Sequence, residues 1–528
     1  MKFISDLQAR LLKLGPYGYL TLEDACAGIH CTGRIGSGKT SAVSILARAF
    51  LRARFGGIVT VAKPGEVTQW QKYCAEEGRS KSLVLFDENE GFNFLSYLIA
   101  RHGIDGIGTV TDCLMRVLEA VKKASGTMSK KGEEPFFEES KRLLLRFSIL
   151  PLYAANGSLS IADIIRFIES APTSAKDVTD PEWKKNSFMY RTIVAAAQTP
   201  KVPLPPDVLK DNIEHWTRAH VEIPEKTRGN MVVTVTAALD RFRHGRLKKA
   251  FCGRTTLVPE MTFHGAVMAL CMPSVTWGED GIIGQQIFKF IWQRAVLARN
   301  SLPQKHRERP IFGWFDEAQE TVNSEDERFL GLARESTCCP VYMTQSLPTY
   351  YSKIGGDTPR EDALTLMGKF GTHLFLTNSC AESNEYAARV IGKVVTHRNT
   401  FNTGTSRSVN VGMSAGSSES DSSASNYGLT SGHQSGQGGS NNSRTSGSGH
   451  TRGTSDNFGE NRGQGRNDSE SRGYSEAMEY VFEPGDFGRL LKTGGPANGN
   501  LVTGVWYQSG RKFESTGTNT FLARFKQR

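Results

Sequence analysis

Short apolar runs alternate with helix-length amphipathic segments over most of the chain, and this pattern predicts an α/β fold. Each run is bounded by glycine, proline or charged residues: "GGIVTVAK", "KSLVLFD", "HGAVMALCMP", "RPIFGWFDEAQE", "CCPVYMTQS" and "GTHLFLTNS". Continuous apolar runs of this length are typical of parallel strands, because helices cover both faces of such a sheet. The segments between the runs are long enough for the connections that parallel strands require.

The first such unit is "YLTLEDACAGIHCTGRIGSGKT", from Tyr19 to Thr40, followed by "SAVSILARAFLRARF". We predict a strand that leads into a glycine-rich loop, and then a helix, because the apolar residues after the loop follow helical spacing.

From residue 107 to residue 222 the apolar spacing is helical, as in "EESKRLLLRFSILPLYAA". Strand patterns return only afterwards, so we predict an all-helical domain inserted into one α/β domain. Ser160 followed by Asp163 resembles a capping box with aspartate in the usual glutamate position, which predicts a helix start there.

Residues 402–473 are rich in serine, glycine and asparagine and have hardly any aliphatic side chains. Such a segment cannot bury enough surface to offset its ordering entropy, so we predict disorder, as a plain solvated insert or a regulatory loop. The predicted organisation is an α/β domain in two parts (1–106 and 223–401), the helical insert (107–222), the disordered segment (402–473) and C-terminal strands that return to the α/β domain (474–528).

Composition places the chain among globular proteins with a basic balance. Of its 528 residues 38% are hydrophobic, and 64 Lys and Arg against 54 Asp and Glu give a net charge of +10. A polyanionic partner such as nucleic acid suits this charge, and a diffusely basic surface is the alternative. Positive charge concentrates in "RFRHGRLKK" (241–249), in "QKHRER" (304–309) and at Lys122, Lys123, Lys130 and Lys131. These clusters could neutralise DNA phosphates without reading bases, or be solvated helix faces.

Neither the cysteines nor the apolar segments indicate a metal or membrane protein. The nine cysteines form no C-x-x-C pair and no zinc-type spacing, so we expect reduced thiols. No stretch approaches the roughly 20 apolar residues of a membrane helix, and Asp6, Arg10 and Lys13 interrupt the N-terminal segment. We therefore expect a cytoplasmic protein.

The octapeptide "GRIGSGKT" matches the phosphate-binding pattern G-x-x-x-x-G-K-[ST]. Its backbone N–H groups, from Gly33, Arg34, Ile35, Gly36, Ser37 and Gly38, are expected to wrap nucleotide phosphates at a helix start. Lys39 is expected to reach the β- and γ-phosphates, and the Thr40 hydroxyl to bind Mg²⁺. The strand before the motif and the helix after it make a chance match improbable.

Hydrolysis requires carboxylates from a neighbouring strand, and "PIFGWFDEAQ" supplies them. We predict that Asp316 orients Mg²⁺ through its water shell and that Glu317 is the general base for the attacking water. The alternative is an ordinary strand that ends in two surface acids.

Taken together these segments resemble the conjugative coupling proteins of type IV secretion, in the FtsK/HerA group of ring-forming DNA motors. The resemblance covers most of the chain outside the serine-rich segment. It rests on the helical insert and on "GIHCTGRIGSGKT", "VAKPGEVTQW", "LVLFDENEGFNFLSY", "GWFDEAQE", "LARESTCCPVYMTQSLPTYY" and "LFLTNSCAESNEYAARVIG". The motif "GIHCTGRIGSGKT" is specific by itself, whereas the other segments support the resemblance by their order and spacing.

The resemblance implies a RecA-like P-loop fold, ATP and Mg²⁺ as cofactors, and two further site residues. Gln345 matches the glutamine that senses the γ-phosphate, and Arg334 matches the arginine finger that enters the neighbouring subunit's site. A polar strand end and a surface charge are the respective alternatives.

The implied function is an ATP-driven motor that translocates DNA, without sequence preference, into a type IV secretion or conjugation apparatus. A hexameric ring is the implied assembly, with a relaxase or secretion components as partners and the helical insert facing the DNA entry or the cargo. A HerA-like cytoplasmic motor for DNA processing or defence, and an ATP-gated receptor that pumps nothing, are the alternatives.

The sequence departs from the family in two places. Members usually begin with transmembrane helices, and none is predicted here, so peripheral docking at the inner membrane through a partner and work away from the membrane both stay open. The acid that the family places before a Lys-Gly-Glu-like turn is missing in Val61–Glu66, and whether Glu66 replaces it is open.

Overall fold

The computed structural model describes residues 3–125, 135–323, 325–355, 358–412, 420–432, 441–453 and 461–527, with the backbone alone at 135 and at 397–475. The chain forms two compact units, Met1–Asn384 with Phe487–Arg528, and Glu385–Asp486. The helical segment and the sheet belong to the same unit.

The strands are β1 (Arg10–Lys13), β2 (Tyr19–Thr21), β3 (Ile29–Thr32), β4 (Gly56–Thr60), β5 (Leu83–Phe86), β6 (Val267–Leu270), β7 (Ile311–Phe315), β8 (Cys338–Thr344), β9 (Thr372–Phe375), β10 (Lys393–Gly412), β11 (Ser420–Gly432), β12 (Asn441–Gly453), β13 (Asn461–Tyr480), β14 (Leu501–Gln508) and β15 (Thr520–Lys526).

The α-helices are α1 (Leu22–Cys26), α2 (Lys39–Arg52), α3 (Pro64–Glu76), α4 (Phe94–His102), α5 (Ile107–Ala124), α6 (Pro135–Asn156), α7 (Ile161–Glu169), α8 (Ala175–Thr179), α9 (Pro181–Asn186), α10 (Phe188–Gln198), α11 (Pro206–Glu214), α12 (His220–Glu222), α13 (Glu225–Asp240), α14 (Gly245–Cys252), α15 (Ser274–Trp277), α16 (Glu279–Ala298), α17 (Gln304–Arg307), α18 (Glu325–Leu332), α19 (Leu347–Ile354), α20 (Pro359–Met367), α21 (Ala381–Ile391) and α22 (Asp486–Arg489). Short 3₁₀ turns lie at Gly15–Tyr17, Ser80–Ser82, Gly103–Gly106, Pro259–His264, Arg299–Ser301, Ala318–Glu320 and Pro496–Asn498.

A nine-stranded sheet organises the larger unit, in the order β15-β14-β9-β3-β8-β7-β4-β6-β5. The strands from β9 to β5 in this order are parallel to one another, and β14 joins β9 antiparallel and pairs with β15. Parallel strands end at a common edge of the sheet, so the loops after β3, β4 and β7 lie on one side of the molecule. This confirms the predicted α/β fold.

Strand β7 shows that helices cover both faces of the sheet. All five of its residues are buried. Phe312 and Trp314 pack against Trp70 of α3, with ring centroids 5.8 and 5.4 Å away. Phe315 points to the other face, where its ring lies 4.6 Å from that of Tyr342 in β8 and where Lys289 Nζ of α16 lies 4.4 Å from its ring centroid. Burial on both faces explains why the strand is a continuous apolar run.

Helices α5 to α12 occupy the predicted insert, and α13 and α14 extend the helical segment to Cys252. Helix α6 contains Pro151, which has no N–H to donate to the carbonyl of Phe147 one turn earlier. That carbonyl instead accepts hydrogen bonds from Asn212 Nδ2 at 2.9 Å and Trp216 Nε1 at 3.1 Å. The proline therefore helps fasten α6 to α11 and to the π-helical turn His215–Ala219. Helix α7 begins after Ser160, whose Oγ accepts from the Asp163 N–H at 3.0 Å, as predicted.

The stretch from Tyr19 to the glycine loop is not one strand. Helix α1 separates β2 from β3 because Thr21 and Asp24 form a reciprocal capping box: Thr21 Oγ1 accepts from Asp24 N, and Asp24 Oδ2 accepts from Thr21 N. The T-x-x-D spacing was the local signal for this helix start.

The serine-rich segment has extended backbone where it is described. Strand β10 pairs antiparallel with β13 from Lys393 and Tyr480 to Gly412 and Asn461, and β11 pairs antiparallel with β12. Such ladders consist of main-chain hydrogen bonds and need no aliphatic side chains, so composition alone did not predict them.

Among the described residues, no single helix is long and apolar enough to cross a membrane. The helices Phe136–Asn156 and Ile161–Glu169 meet that test together, but the chain bends by 116° between them.

A buried ionic network fixes the loop after β7. Lys289 Nζ donates to Asp326 Oδ2 at 2.8 Å and to the Thr321 carbonyl at 3.0 Å, and both ionic side chains are 0% exposed. Asp326 also accepts from Gln293 Nε2 and the Tyr342 hydroxyl. The network thus connects α16, α18 and β8.

Removal of one partner of this pair should cost far more than removal of both. We expect Asp326→Leu to lower the free energy of unfolding by about 3–5 kcal/mol, because it leaves a buried, uncompensated ammonium. The double variant Lys289→Met/Asp326→Leu should lose less than this single variant, as measured by denaturant unfolding. Additive losses in the double-mutant cycle would contradict the assignment.

Candidate nucleotide site

The glycine-rich loop joins β3 to α2, and its glycines are required by the backbone. Gly36 and Gly38 have φ of 75° and 84°, in the left-handed region that favours glycine. A Cβ at Gly38 would lie 2.4 Å from Val502 of β14, and one at Gly33 would lie 2.5 Å from Ser37 Oγ. The loop therefore depends on its glycines both for its conformation and for its packing against the C-terminal strands.

The polar groups of the loop are arranged around the start of α2. Lys39 Nζ donates to the carbonyls of Gly33 at 2.6 Å and Arg34 at 3.4 Å. Thr40 is exposed, and Ser37 is buried with no hydrogen-bond partner for its hydroxyl among the described residues. At the tip, Ile35 is 71% exposed. Three of the six loop N–H groups predicted to bind phosphate already donate to carbonyls: Gly33 to Thr344, Arg34 to Thr377 and Ser37 to Arg34. The Lys39 ammonium, the other N–H groups at the start of α2 and the unpartnered hydroxyl fit a phosphate group.

The two acids predicted to serve this loop lie in the same cleft. Asp316 and Glu317 follow β7, and only β8 separates β7 from β3 in the sheet. A cleft of about 430 Å³ is lined by Arg34, Ile35, Gly36, Ser37, Gly38, Lys39, Thr40, Ser41, Lys63, Gly65, Glu66, Gln69, Asp316, Glu317, Thr493 and Gln527. The Thr40 hydroxyl and the carboxylates of Asp316 and Glu66 are hard oxygen donors, which suit Mg²⁺.

Two glutamine amides hold the carboxylate of Glu317. Gln345, at the end of β8, donates from Nε2 to both carboxylate oxygens at 3.0 Å, and Gln319 donates to Oε2 at 2.8 Å. Lys63 Nζ lies 3.7 Å from Oε1. Glu317 itself has φ 45°, an unusual value for a residue with a side chain. Such strain is typical of functional positions, where surrounding contacts keep it in place.

Gln345 reaches the site through Glu317, since it is not among the residues that line the cleft. Gln319 is in turn fixed by Thr344, whose hydroxyl donates to its amide oxygen at 2.8 Å. The general base predicted from sequence is thus oriented by residues of two neighbouring chain segments.

Burial and a neighbouring carboxylate raise the pKa of two acids in the cleft, Asp316 and Glu66. Burial raises the pKa of Asp316, and the Glu317 carboxylate raises it further, against the Glu317 N–H, Lys39 and Lys63. Burial and then the Asp316 carboxylate raise the pKa of Glu66 to about 7, although its carboxylate accepts from the Ala62 N–H at 2.9 Å. A metal ion or another cation in the cleft would offset this repulsion.

Sequence reasoning did not predict Gln319, Thr493 or Gln527 as parts of the site, and it left the role of Glu66 open. Glu66, which it left open, lies in the cleft, three residues after the N-cap of α3 at Lys63. Gln319 belongs to the same "DEAQ" segment as the predicted acids. Thr493 and Gln527 had no local signal, because long-range strand pairing brings them there; Gln527 Nε2 donates to Ser41 Oγ at 3.3 Å.

Arg334 lies away from this cleft. It is in the turn that leads into β8, at the amino edge of the sheet, where it pairs with Glu23 of α1. Its side chain is 62% exposed. Any action of Arg334 on a nucleotide in such a cleft therefore requires a second copy of the chain.

Comparisons with known proteins establish the fold. No family model matches the sequence, and no curated protein matches it. The structure is similar to that of the bacterial conjugative coupling protein TrwBdeltaN70 in its unbound form, with a TM-score of 0.54 and 13% identity over 99% of this chain and 90% of that one. Weaker similarities are to TrwB with the ATP analogue ADPNP (TM-score 0.47, 15% identity, 74% and 83% covered) and to VirB4 of Thermoanaerobacter pseudethanolicus (0.41, 10%, 74% and 89%). The chain has the fold of the TrwB coupling protein.

The position of Glu66 predicts a pH-dependent difference in stability. A carboxyl pKa raised from 4.5 to about 7 means that the folded state favours the protonated form, so its contribution is complete below pH 4.5 and is lost as the pH rises through 7. Glu66→Gln keeps an acceptor for the Ala62 N–H and removes the titration.

We therefore expect the melting temperature of Glu66→Gln, measured in EDTA without nucleotide, to match that of the wild type near pH 5 and to exceed it at pH 8. If Glu66→Gln were less stable than the wild type at pH 8, the ionised Glu66 carboxylate would stabilise the folded state. That result would contradict the raised pKa.

Proposed function

We propose that the protein is a P-loop ATPase that hydrolyses ATP with Mg²⁺ to translocate DNA, as the coupling protein of a type IV secretion or conjugation apparatus. One observation carries the ATPase: Lys39, Thr40, Asp316 and Glu317 line one cleft at the carboxyl edge of the sheet. The transport role is supported by the fold shared with TrwB and by the net charge of +10.

The loop and Lys39 bind the phosphates in this mechanism. The N–H groups of Ile35, Gly36 and Gly38 and of the first turn of α2 surround the phosphate oxygens, and Lys39 exchanges the Gly33 carbonyl for a phosphate oxygen. The Ser37 hydroxyl, buried and unpartnered, gains an acceptor. Thr40 and Asp316 would hold Mg²⁺, which would supply positive charge against the charge that develops on the phosphates.

Glu317 accepts a proton from the attacking water. The amides of Gln345 and Gln319 hold its carboxylate in one orientation in this role. Through Gln345, the protonation of Glu317 is therefore coupled to the end of β8.

A second copy of the chain completes the site in trans. Arg334 is exposed and remote from the cleft of its own chain, which suits a guanidinium that serves a neighbouring subunit. The ion pair between Arg334 and Glu23 breaks when Arg334 enters the neighbouring site. A ring, with six subunits by family resemblance, provides this arrangement at each interface, and relaxase or secretion components are the expected partners.

Substitution of the loop lysine tests the ATPase. We expect Lys39→Ala to reduce steady-state ATP hydrolysis at least about 100-fold, since the cation at the phosphates is lost. The matched control is Lys72→Ala on the surface of α3, where the side chain is 71% exposed and lies 4.0 Å from Glu76.

That control should keep wild-type turnover, with and without DNA. Equal activity of the two variants would remove the loop from the catalytic mechanism. Nucleotide binding without turnover in the wild type would favour an ATP-gated receptor instead.

The trans role of Arg334 predicts complementation between two inactive variants. Arg334→Ala has an intact cleft, and Lys39→Ala has an intact arginine, so a mixture contains interfaces with both functional groups. We expect each variant alone to be inactive and the mixture to recover about a quarter of wild-type turnover if subunits mix at random.

The readout is turnover as a function of the mixing ratio. A mixture no more active than its components would place Arg334 outside the neighbouring site.

A further inference from the structure

The basic segments of the sequence differ in how the fold neutralises them. In 241–249 the arginines pair with carboxylates: Arg241 with Glu279 at 2.6 Å and Asp280 at 3.2 Å, Arg243 with Asp240 at 3.2 Å, and Arg246 with Glu88 at 3.1 Å. Lys122 and Lys123 pair with Glu138 and Glu119, and Lys130 and Lys131 lie outside the described residues. Much of this charge is therefore compensated within the chain.

Residues 304–309 lie at the opposite, amino edge of the sheet, directly before β7. There the guanidinium groups bond to main-chain carbonyls. Arg309 Nη1 donates to the Arg54 carbonyl at 2.7 Å, and Arg299 Nη2 donates to the carbonyls of Arg307 at 2.6 Å and Arg309 at 2.7 Å. Arg79 donates to the carbonyls of Leu51, Phe55 and Gly265, and to the Ser82 hydroxyl.

We call Arg54, Arg79, Arg299, Lys305, Arg307 and Arg309 the amino-edge cluster. Among the described residues, no carboxylate forms an ion pair with Arg79, Arg299, Lys305, Arg307 or Arg309; Glu308 is the one acid within residues 299–309. Arg299 is 0% exposed, and its Nε and Nη1 have no hydrogen-bond partner in that part of the chain.

Neighbouring titratable groups register this uncompensated charge. Burial, and then His306, Arg309 and Lys305, lower the pKa of His264. Burial, with Arg54 as the largest charge contribution, lowers the pKa of Arg79 to about 10. Crowded and partly buried cations without a carboxylate partner are unfavourable in the protein alone. A bound polyanion would offset this cost.

We propose that the amino-edge cluster binds the sugar-phosphate backbone of DNA, with Lys305 and Arg307 as the exposed contacts and Arg299 as the residue that positions them. Charge complementarity selects the occupant, since arginine and lysine side chains that lack carboxylate partners among the described residues, as Lys305 and Arg307 do, match the repeated phosphates of a nucleic-acid backbone. This inference rests on the proposed function in that DNA is the substrate moved.

Two strands, β4 and β7, connect the amino-edge cluster with the nucleotide cleft. Arg54 precedes β4, and β4 leads to Lys63 and Glu66. Arg309 precedes β7, and β7 ends at Asp316 and Glu317. Each strand has five residues, so the two sites lie about 17 Å apart along the sheet.

The test compares two charge reversals of equal size. Lys305→Glu/Arg307→Glu changes the amino-edge cluster, and Arg243→Glu/Arg246→Glu changes two exposed arginines of the 241–249 segment that pair with carboxylates. The probe is a fluorescein-labelled 40-nucleotide DNA, single- or double-stranded, titrated by anisotropy without nucleotide at several salt concentrations.

We expect the amino-edge pair to weaken binding about tenfold or more, and to make the slope of log K against log salt shallower by about 2 for double-stranded DNA. The control pair should change the affinity less than about threefold. If the charge reversal impairs folding, Lys305→Gln/Arg307→Gln replaces it, because this variant removes the two charges and keeps polar side chains. It should also weaken DNA binding more than the control pair does.

Equal loss in both pairs, loss in the control pair alone, or no DNA binding by the wild type would overturn the proposal. Binding of the wild type to anionic phosphatidylserine vesicles but not to DNA would overturn it as well. Because no nucleotide is present, an inactive ATPase that still binds DNA through the cluster would contradict the proposed function and leave this inference intact.

Discussion

The parallel order β3-β8-β7 is the constraint on which the site depends. Because the three strands end at one edge, the loop after β3, the glutamine at the end of β8 and the acids after β7 lie side by side, although more than 300 residues of sequence separate Lys39 from Gln345. Apolar burial on both faces fixes that order, and the Lys289–Asp326 network fixes the loop that follows the acids. The geometry of the cleft is therefore a consequence of how the sheet is packed.

The fold was largely predictable because its signals are local. Short apolar runs, the glycine loop and the Ser160 cap each reflect physics within a few residues, and each is present in the structure. Helix α1 also had a local signal, the Thr21–Asp24 box, which the apolar run around it obscured. The antiparallel ladders of β10 to β13 depend on main-chain pairing, which composition does not encode.

The site was predictable only as far as its motifs extend. Lys39, Thr40, Asp316 and Glu317 belong to recognisable patterns, whereas Thr493 and Gln527 enter the cleft through the antiparallel addition of β14 and β15. The raised pKa of Glu66 depends on its burial and on the Asp316 carboxylate beside it, and neither can be read from the sequence around Glu66. Net charge likewise did not reveal which basic segment remains uncompensated, because that depends on ion pairs formed in the fold.

The central claim is that Lys39 and the Asp316–Glu317 pair act on one nucleotide. It is tested most directly by an experimental structure of Glu317→Gln determined with ATP and Mg²⁺. The account predicts triphosphate within the cleft, Lys39 on its phosphates instead of on the Gly33 carbonyl, and the metal between Thr40 and Asp316. A nucleotide bound elsewhere, with Lys39 still on Gly33, would contradict it.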